Sequence, residues 1–207
     1  MAKERNIDDY DRILVVEGYS DLLFYAEVLE ELGAHERVFI KELGGKDGMK
    51  AKLETLVSPG LLDSKSAIAF IFDADTAPEA TRNSLQTLLS EITHKPVVDG
   101  QWSGGRPNIG LLIVPGGDQA GEIETLVWNS WASDAANEAE KRCVEGYISC
   151  MQTAGAVAHS PAKGLIGTLL AVKYDEDPRL GPGARRNVFN LKRPELQKLR
   201  DFLSVFE

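Results

Sequence analysis

Apolar positions along the chain fall into short continuous runs separated by amphipathic stretches. Ile13-Leu14-Val15-Val16 and Ala67-Ile68-Ala69-Phe70-Ile71-Phe72 are each bounded by polar or turn residues, which predicts buried strands of a parallel sheet. Val38-Phe39-Ile40 and Ile109-Gly110-Leu111-Leu112-Ile113-Val114 predict two more. Between the first two strands, Leu22, Leu23, Tyr25, Ala26, Leu29 and Leu32 recur at helical spacing, with Ser20-Asp21 as the start signal and Gly33 as the stop. A helix is expected over Met49 to Val57, broken by Pro59-Gly60, and another from about Pro78 to Ile92 with proline in its first turn. Asp99 to Pro107 reads as an irregular loop. The order β-α-β-α-β-α-β predicts an α/β fold: a doubly wound, mainly parallel sheet flanked by helices.

Beyond residue 120 the pattern turns helical. Glu122 to Ser130, Ser133 to Met151 and Pro161 to Val172 predict helices, Pro178 to Pro182 a turn-rich break, and Leu196 to Phe206 a closing amphipathic helix. The expected organisation is an α/β core over residues 1–130 and a mostly helical C-terminal part over 131–207 packed on it, with one domain over 1–207 as the alternative.

Composition places the chain among globular proteins. Its 207 residues are 43% hydrophobic and 27% charged, enough to bury a core without covalent staples. No apolar stretch approaches the roughly 18 residues of a membrane span, and Met1 to Asn6 lacks the apolar core of a signal peptide. No membrane association is expected, and the two cysteines, Cys143 and Cys150, read as free thiols in a reducing cytoplasm. The net charge of −9 argues against broad wrapping of nucleic acid, which needs many cations on phosphates, though not against a metal-bridged contact. Charge is uneven: Arg179 to Arg200 carries seven basic residues against the single acid Glu195. That segment is either a solvated surface or an anion-binding flank.

The chemistry concentrates at two strand ends. The first run ends in Glu17-Gly18 and the third in Asp73-Ala74-Asp75. Ligand sites of open α/β sheets lie just beyond the carboxyl ends of the strands, so these carboxylates are expected to meet at one rim. Like charges so placed repel unless a divalent cation shares them, and all-oxygen ligation suits Mg²⁺ or Mn²⁺ rather than zinc. The competing reading is that Glu17 pairs with a lysine and that Asp73 and Asp75 cap the following helix. Glu124, at a helix start, either completes the acidic rim or stabilises the helix dipole. Gly44-Gly45-Lys46-Asp47-Gly48 could cradle a phosphate with backbone N–H groups and the Lys46 charge, but lacks the Gly-Lys-Ser/Thr ending of a Walker loop. His35, His94 and His159 have no zinc spacing, and no nucleophile elbow or Cys–His pairing is present in the sequence. Trp102, Trp128 and Trp131 either stack bases or pack in the core.

With these motifs in place, the chain resembles the Toprim superfamily, the catalytic fold shared by topoisomerases, bacterial primases and several nucleases. The resemblance rests on Val16-Glu17-Gly18 and Asp73-Ala74-Asp75, their order and their strand-end placement. It is most similar to a Toprim-like family of prokaryotic proteins of unknown function. That likeness runs through Gly44-Gly45-Lys46-Asp47, Ile113-Val114-Pro115 to Glu124, Lys163, Leu169-Leu170-Ala171 and the Phe189-Asn190 to Leu203 tail. One departure is Gly116-Gly117-Asp118, where the family carries an Asp directly after the proline, so Asp118 is displaced.

The resemblance implies a Mg²⁺- or Mn²⁺-dependent phosphoryl-transfer protein, nuclease-like, acting on a nucleic acid or nucleotide. Glu17 would be the acid or base, and Glu17, Asp73, Asp75 and Glu124 the metal ligands. Gly44, Gly45, Lys46, Lys163, Arg185 and Arg186 are the phosphate candidates. The alternative is a non-catalytic module that binds a nucleotide, nucleic acid or protein. A homodimer and a separate partner ATPase are both compatible with the sequence.

Overall fold

The computed structural model describes residues 6–156, 160–174 and 177–207. The α/β half runs β1 (Arg12–Val16), α1 (Tyr19–Glu31), β2 (Val38–Glu42), α2 (Met49–Leu56), α3 (Pro59–Ser64), β3 (Ala67–Asp73), α4 (Pro78–Thr93), β4 (Gln101–Trp102) and β5 (Asn108–Val114). The helices α5 (Ile123–Ala132), α6 (Glu138–Thr153), α7 (Pro161–Lys173), α8 (Leu180–Arg185) and α9 (Gln197–Leu203) follow. The five strands form one sheet in the order β2-β1-β3-β5-β4, parallel except for β4, which runs antiparallel to β5. The sheet is therefore mainly parallel and flanked by helices, as the apolar runs predict.

The order reverses between β1 and β3. From β1 the chain crosses outward to β2, whereas from β3 it crosses the other way to β5. Right-handed crossovers then send α1 to one face and α2 and α4 to the other. Burial follows this division. Ile13, Val15, Ile68, Phe70 and Phe72 pack with Leu53 of α2 and with Leu85 and Leu89 of α4. Leu14, Val16, Ala69 and Ile71 pack with Phe24, Val28 and Leu29 of α1. A single helix cannot cover that second face, and the C-terminal segment fills the rest. Trp128, Ile166, Leu170, Leu180, Phe202 and Phe206 join the same apolar cluster.

Three elements differ from the sequence expectations. The Asp99–Pro107 loop contains β4, held because Trp102 stacks on Phe202 at 5.0 Å and its indole N–H donates to the Phe202 carbonyl at 3.1 Å. Pro59 starts a helix as well as ending one, since Ser58 Oγ accepts from the Leu61 N–H at 3.4 Å and proline suits the first turn. The Pro178–Pro182 break holds the start of α8. Its Gly181 is required by closeness to α1: a Cβ there would lie 2.5 Å from Leu23 Cβ. Two boundaries also shift. Asp134 caps a 3-10 turn before α6, and the closing helix is α9 between two 3-10 turns. Among the described residues, no helix is long and apolar enough to cross a membrane.

Candidate functional site

The site lies at the carboxyl ends of β1 and β3, where the strand order reverses and an open α/β sheet leaves a crevice. Register sets the level of each group. Val16 pairs with Ile71, so Glu17 emerges beside Phe72 and Asp73. Strand parity sets the direction, because successive side chains alternate between faces. Glu17 continues the Ile13–Val15 side, toward the loop before α2. Asp73 continues the Ala69–Ile71 side, toward α1 and α5. The carboxylates thus reach one rim but divide into two groups.

The first group is Glu17, Asp75 and Lys46. The Lys46 ammonium is hydrogen-bonded to Asp75 and lies 3.5 Å from Glu17 Oε2. Asp75 is turned there by a left-handed backbone conformation (φ 55°). It is pinned by reciprocal bonds with Gly121: its N–H donates to the Gly121 carbonyl at 2.9 Å and its carbonyl accepts at 2.7 Å. The Lys46 loop is tied to β1 by the Gly45 N–H, which donates to the Glu17 carbonyl at 2.9 Å. Gly44, Gly45 and Gly48 all have positive φ, which glycine adopts without the steric cost of a Cβ.

The second group is Asp73, Asp21, Glu122, Glu124 and Lys163. Asp73 Oδ1 accepts from the Ile123 N–H at 3.0 Å, so it caps α5, across the sheet, rather than the helix that follows it in sequence. Asp21 Oδ2 accepts from the Gly18 N–H at 2.9 Å at the start of α1. Lys163, in the first turn of α7, is hydrogen-bonded to Glu122 and lies 3.9 Å from Glu124 Oε2.

Electrostatics mark this rim as short of positive charge. Burial pushes the Glu17 carboxyl up, against the pull of Lys46, and Asp21 and Asp75 push it further. Burial raises Asp73 well above the ordinary carboxylate range, reinforced by Asp21, Glu124 and Glu17. Burial also raises Asp21, despite the Gly18 N–H. Glu124, 5% exposed, is pushed up to about 7 because burial outweighs Lys163, which leans on Glu122 instead. Glu122 itself is held below its usual value, burial notwithstanding, by hydrogen bonds from Lys163 and Ser160. Both lysines are held above their ordinary values by these carboxylates, against their own burial. Beneath them, burial and the charges of Asp21, Asp73 and Glu124 keep the Tyr25 hydroxyl protonated well beyond its usual range.

Does this donor set fit a hard cation? Among the described residues, no three such side chains stand close enough to hold one ion together. The chemistry of the set nevertheless suits one. It is all oxygen, it carries excess negative charge, and Glu17 Oε2 and Glu124 Oε2 are buried without a hydrogen-bond partner. In the structure the two lysine ammonium groups supply the positive charge between the carboxylate pairs.

The other candidates lie elsewhere. Arg185 pairs with Glu27 Oε1 at 2.7 Å, two turns along α1, and Arg186 sits 5.3 Å from the Tyr174 ring centroid. Asp118 is displaced onto Arg82 at 3.3 Å, with its side chain 92% exposed. Trp128 and Trp131 are buried, and Trp102 packs on Phe202 and Phe206. His159 lies outside the described residues. Asp21 is the site residue that sequence reasoning took only for a helix start. Its signal was its position one turn beyond Glu17.

A family model described as "Protein of unknown function (DUF3226)" matches residues 11–207. No curated protein and no solved structure matches the chain.

Proposed function

The chain belongs to the DUF3226 family of proteins of unknown function, and we propose that it is a Mg²⁺- or Mn²⁺-dependent phosphoryl-transfer protein. The proposed activity is nuclease-like, of the Toprim type, on a nucleic acid or nucleotide phosphodiester. The observation that carries this reading is the convergence of Glu17 and Asp75 on one ammonium at the reversal point of the sheet, with Glu17 Oε2 buried, without a hydrogen-bond partner and 3.5 Å from that charge. A general acid must hold its proton until the leaving oxygen needs it, and burial raises Glu17 in the required direction. Glu17 and Asp75 would hold the ion on one side of the rim, with Asp73 and Glu124 facing it from the other. When bound, the ion supplies neutralisation of the charge on the phosphoryl group. Lys46 and Lys163 supply the phosphate contacts, at the Gly44-Gly45 turn and the α7 start. Arg185 and Arg186 are engaged away from this rim and are left out of the assignment. Nucleic acid would be contacted locally rather than wrapped, in keeping with the charge of −9.

The second reading is a binding module without turnover. The engaged lysines favour it, because ammonium groups already stand between the carboxylates, and such a rim can hold a ligand without performing chemistry. The test uses calorimetric titration of Mg²⁺ and Mn²⁺, with and without a short oligonucleotide, alongside phosphodiester cleavage. Asp75→Asn should abolish metal binding. Glu17→Gln, whose amide oxygen can still face the ion beside Asp75, should weaken metal binding less than Asp75→Asn does and should lose turnover by roughly two to four orders of magnitude, the usual range for removing a general acid. Metal binding with no cleavage by wild type would favour the binding module. No metal binding under either condition would refute the metal reading.

A further inference from the structure

The Lys46 ammonium occupies the position that a cation shared by Glu17 and Asp75 would take. It bonds to Asp75 and approaches Glu17 Oε2 at 3.5 Å, the two carboxylates delivered by the ends of β1 and β3. Its side chain enters from the solvent side, 41% exposed, and covers a Glu17 side chain that is only 19% exposed. The main chain beneath it is fixed independently of the ammonium. The Gly45 N–H is bonded to Glu17 and Lys52 reaches the Gly44 and Gly45 carbonyls at 3.4 and 3.3 Å. The side chain can therefore leave while its loop stays.

Resting on the proposed metal-dependent reading, we infer that Lys46 is an internal substitute for the cation. It fills the Glu17–Asp75 gap in the ion-free protein, cedes it to a divalent ion, and then turns outward to meet the phosphate of the substrate. The balance of charge drives the exchange. A single positive charge at a part-exposed site is weakly held, whereas a divalent ion gains more from the same two carboxylates. Once displaced, Lys46 stays tethered at the rim by its four-carbon stem, beside the ion, where the charge has turned from negative toward positive. The rim then accepts an anion that it would repel when ion-free. Metal and phosphate binding are coupled through this one side chain.

The exchange is tested by calorimetry on wild type, Lys46→Met and Lys46→Arg, with Mg²⁺ alone and then with a nucleoside triphosphate. Lys46→Met should bind Mg²⁺ tighter than wild type, on the order of fivefold, since the competing charge is gone. The same variant should bind the nucleotide more weakly in the presence of Mg²⁺, and Lys46→Arg should restore that affinity in part. A second readout is acylation of Lys46 by an N-hydroxysuccinimide ester, followed by peptide mass spectrometry. Saturating Mg²⁺ should speed modification of Lys46. If Lys46→Met binds Mg²⁺ no tighter than wild type, or Mg²⁺ leaves Lys46 acylation unchanged, while wild-type binding still depends on Asp75, the substitution of lysine for cation is wrong and the metal site stands. If neither wild type nor Lys46→Met binds Mg²⁺, with or without nucleotide, the site reading and this inference fall together.

Discussion

Glu124 is one of the groups that set how the rim responds to pH. It is buried, one of its oxygens has no hydrogen-bond partner, and its nearest cation is shared with Glu122. Its carboxyl therefore titrates near 7 in the folded chain against 4.5 for the ordinary side chain. Between those values the folded state binds the extra proton, so stability falls as pH rises through that window and levels off above it. Asp73, Asp21 and Glu17 are shifted in the same direction. The ion-free protein should therefore melt at a higher temperature at pH 5 than at pH 8 by scanning calorimetry. Glu124→Gln should remove part of the slope, gaining on the order of 2 kcal/mol at pH 8 with little change at pH 5. An unchanged slope in the variant would mean that Glu124 is ionised in the folded state. None of this is written at position 124 itself. A glutamate at a helix start is ordinary, and its shift comes from chain segments that only folding brings over it.

At the level of elements, close approach decides which glycines are required. α8 packs against α1 so tightly that Gly181 has no room for a side chain, its would-be Cβ lying 2.6 Å from the Leu23 carbonyl carbon. Gly167, inside α7, has nothing within 4 Å of the same construction. Gly181→Ala should cost about 1–3 kcal/mol in urea unfolding, as overpacking does. Gly167→Ala should be neutral or stabilising by up to about 1 kcal/mol, since alanine loses less backbone freedom in a helix. In sequence Gly167 reads as a helix-weakening glycine and Gly181 as part of a turn-rich break, and neither pattern shows which one a neighbouring helix requires. Length explains the missed elements. α3, α8 and β4 are six, six and two residues long, too short for periodicity to register; α8 and β4 are held by contacts elsewhere in the chain, and α3 starts at its own Ser58 cap.

Over the whole molecule, the C-terminal segment acts as the second cover of the sheet. Phe206 is fully buried one residue from the end, and Arg12 on β1 donates to its carbonyl. Trp102 meets both Phe202 and Phe206. Because one apolar cluster draws on β1, β3, β5 and the helices after residue 122, the two parts should unfold together. Tryptophan fluorescence and far-ultraviolet circular dichroism should give one coincident urea transition. Phe206→Ala should destabilise the whole transition by about 3–5 kcal/mol, as loss of a buried aromatic does, rather than releasing a separate C-terminal phase. Two resolved transitions would indicate separable domains.

The sequence by itself determined the four main strands, the helices between them, and the carboxylates and glycine-lysine turn at the strand ends. These are local patterns, expressed in hydrophobic period and in residues that start and stop elements. Only the tertiary structure decided how those groups combine. Strand parity sends Glu17 and Asp73 to opposite faces, so Asp73 caps α5 while Glu17 and Asp75 share Lys46. Packing of the C-terminal helices on the sheet brings Lys163 to the rim near Asp21, and it leaves Arg185 and Arg186 on the flank of α1 and beside Tyr174. Burial and pairing depend on residues far apart in the chain, and no local pattern encodes them.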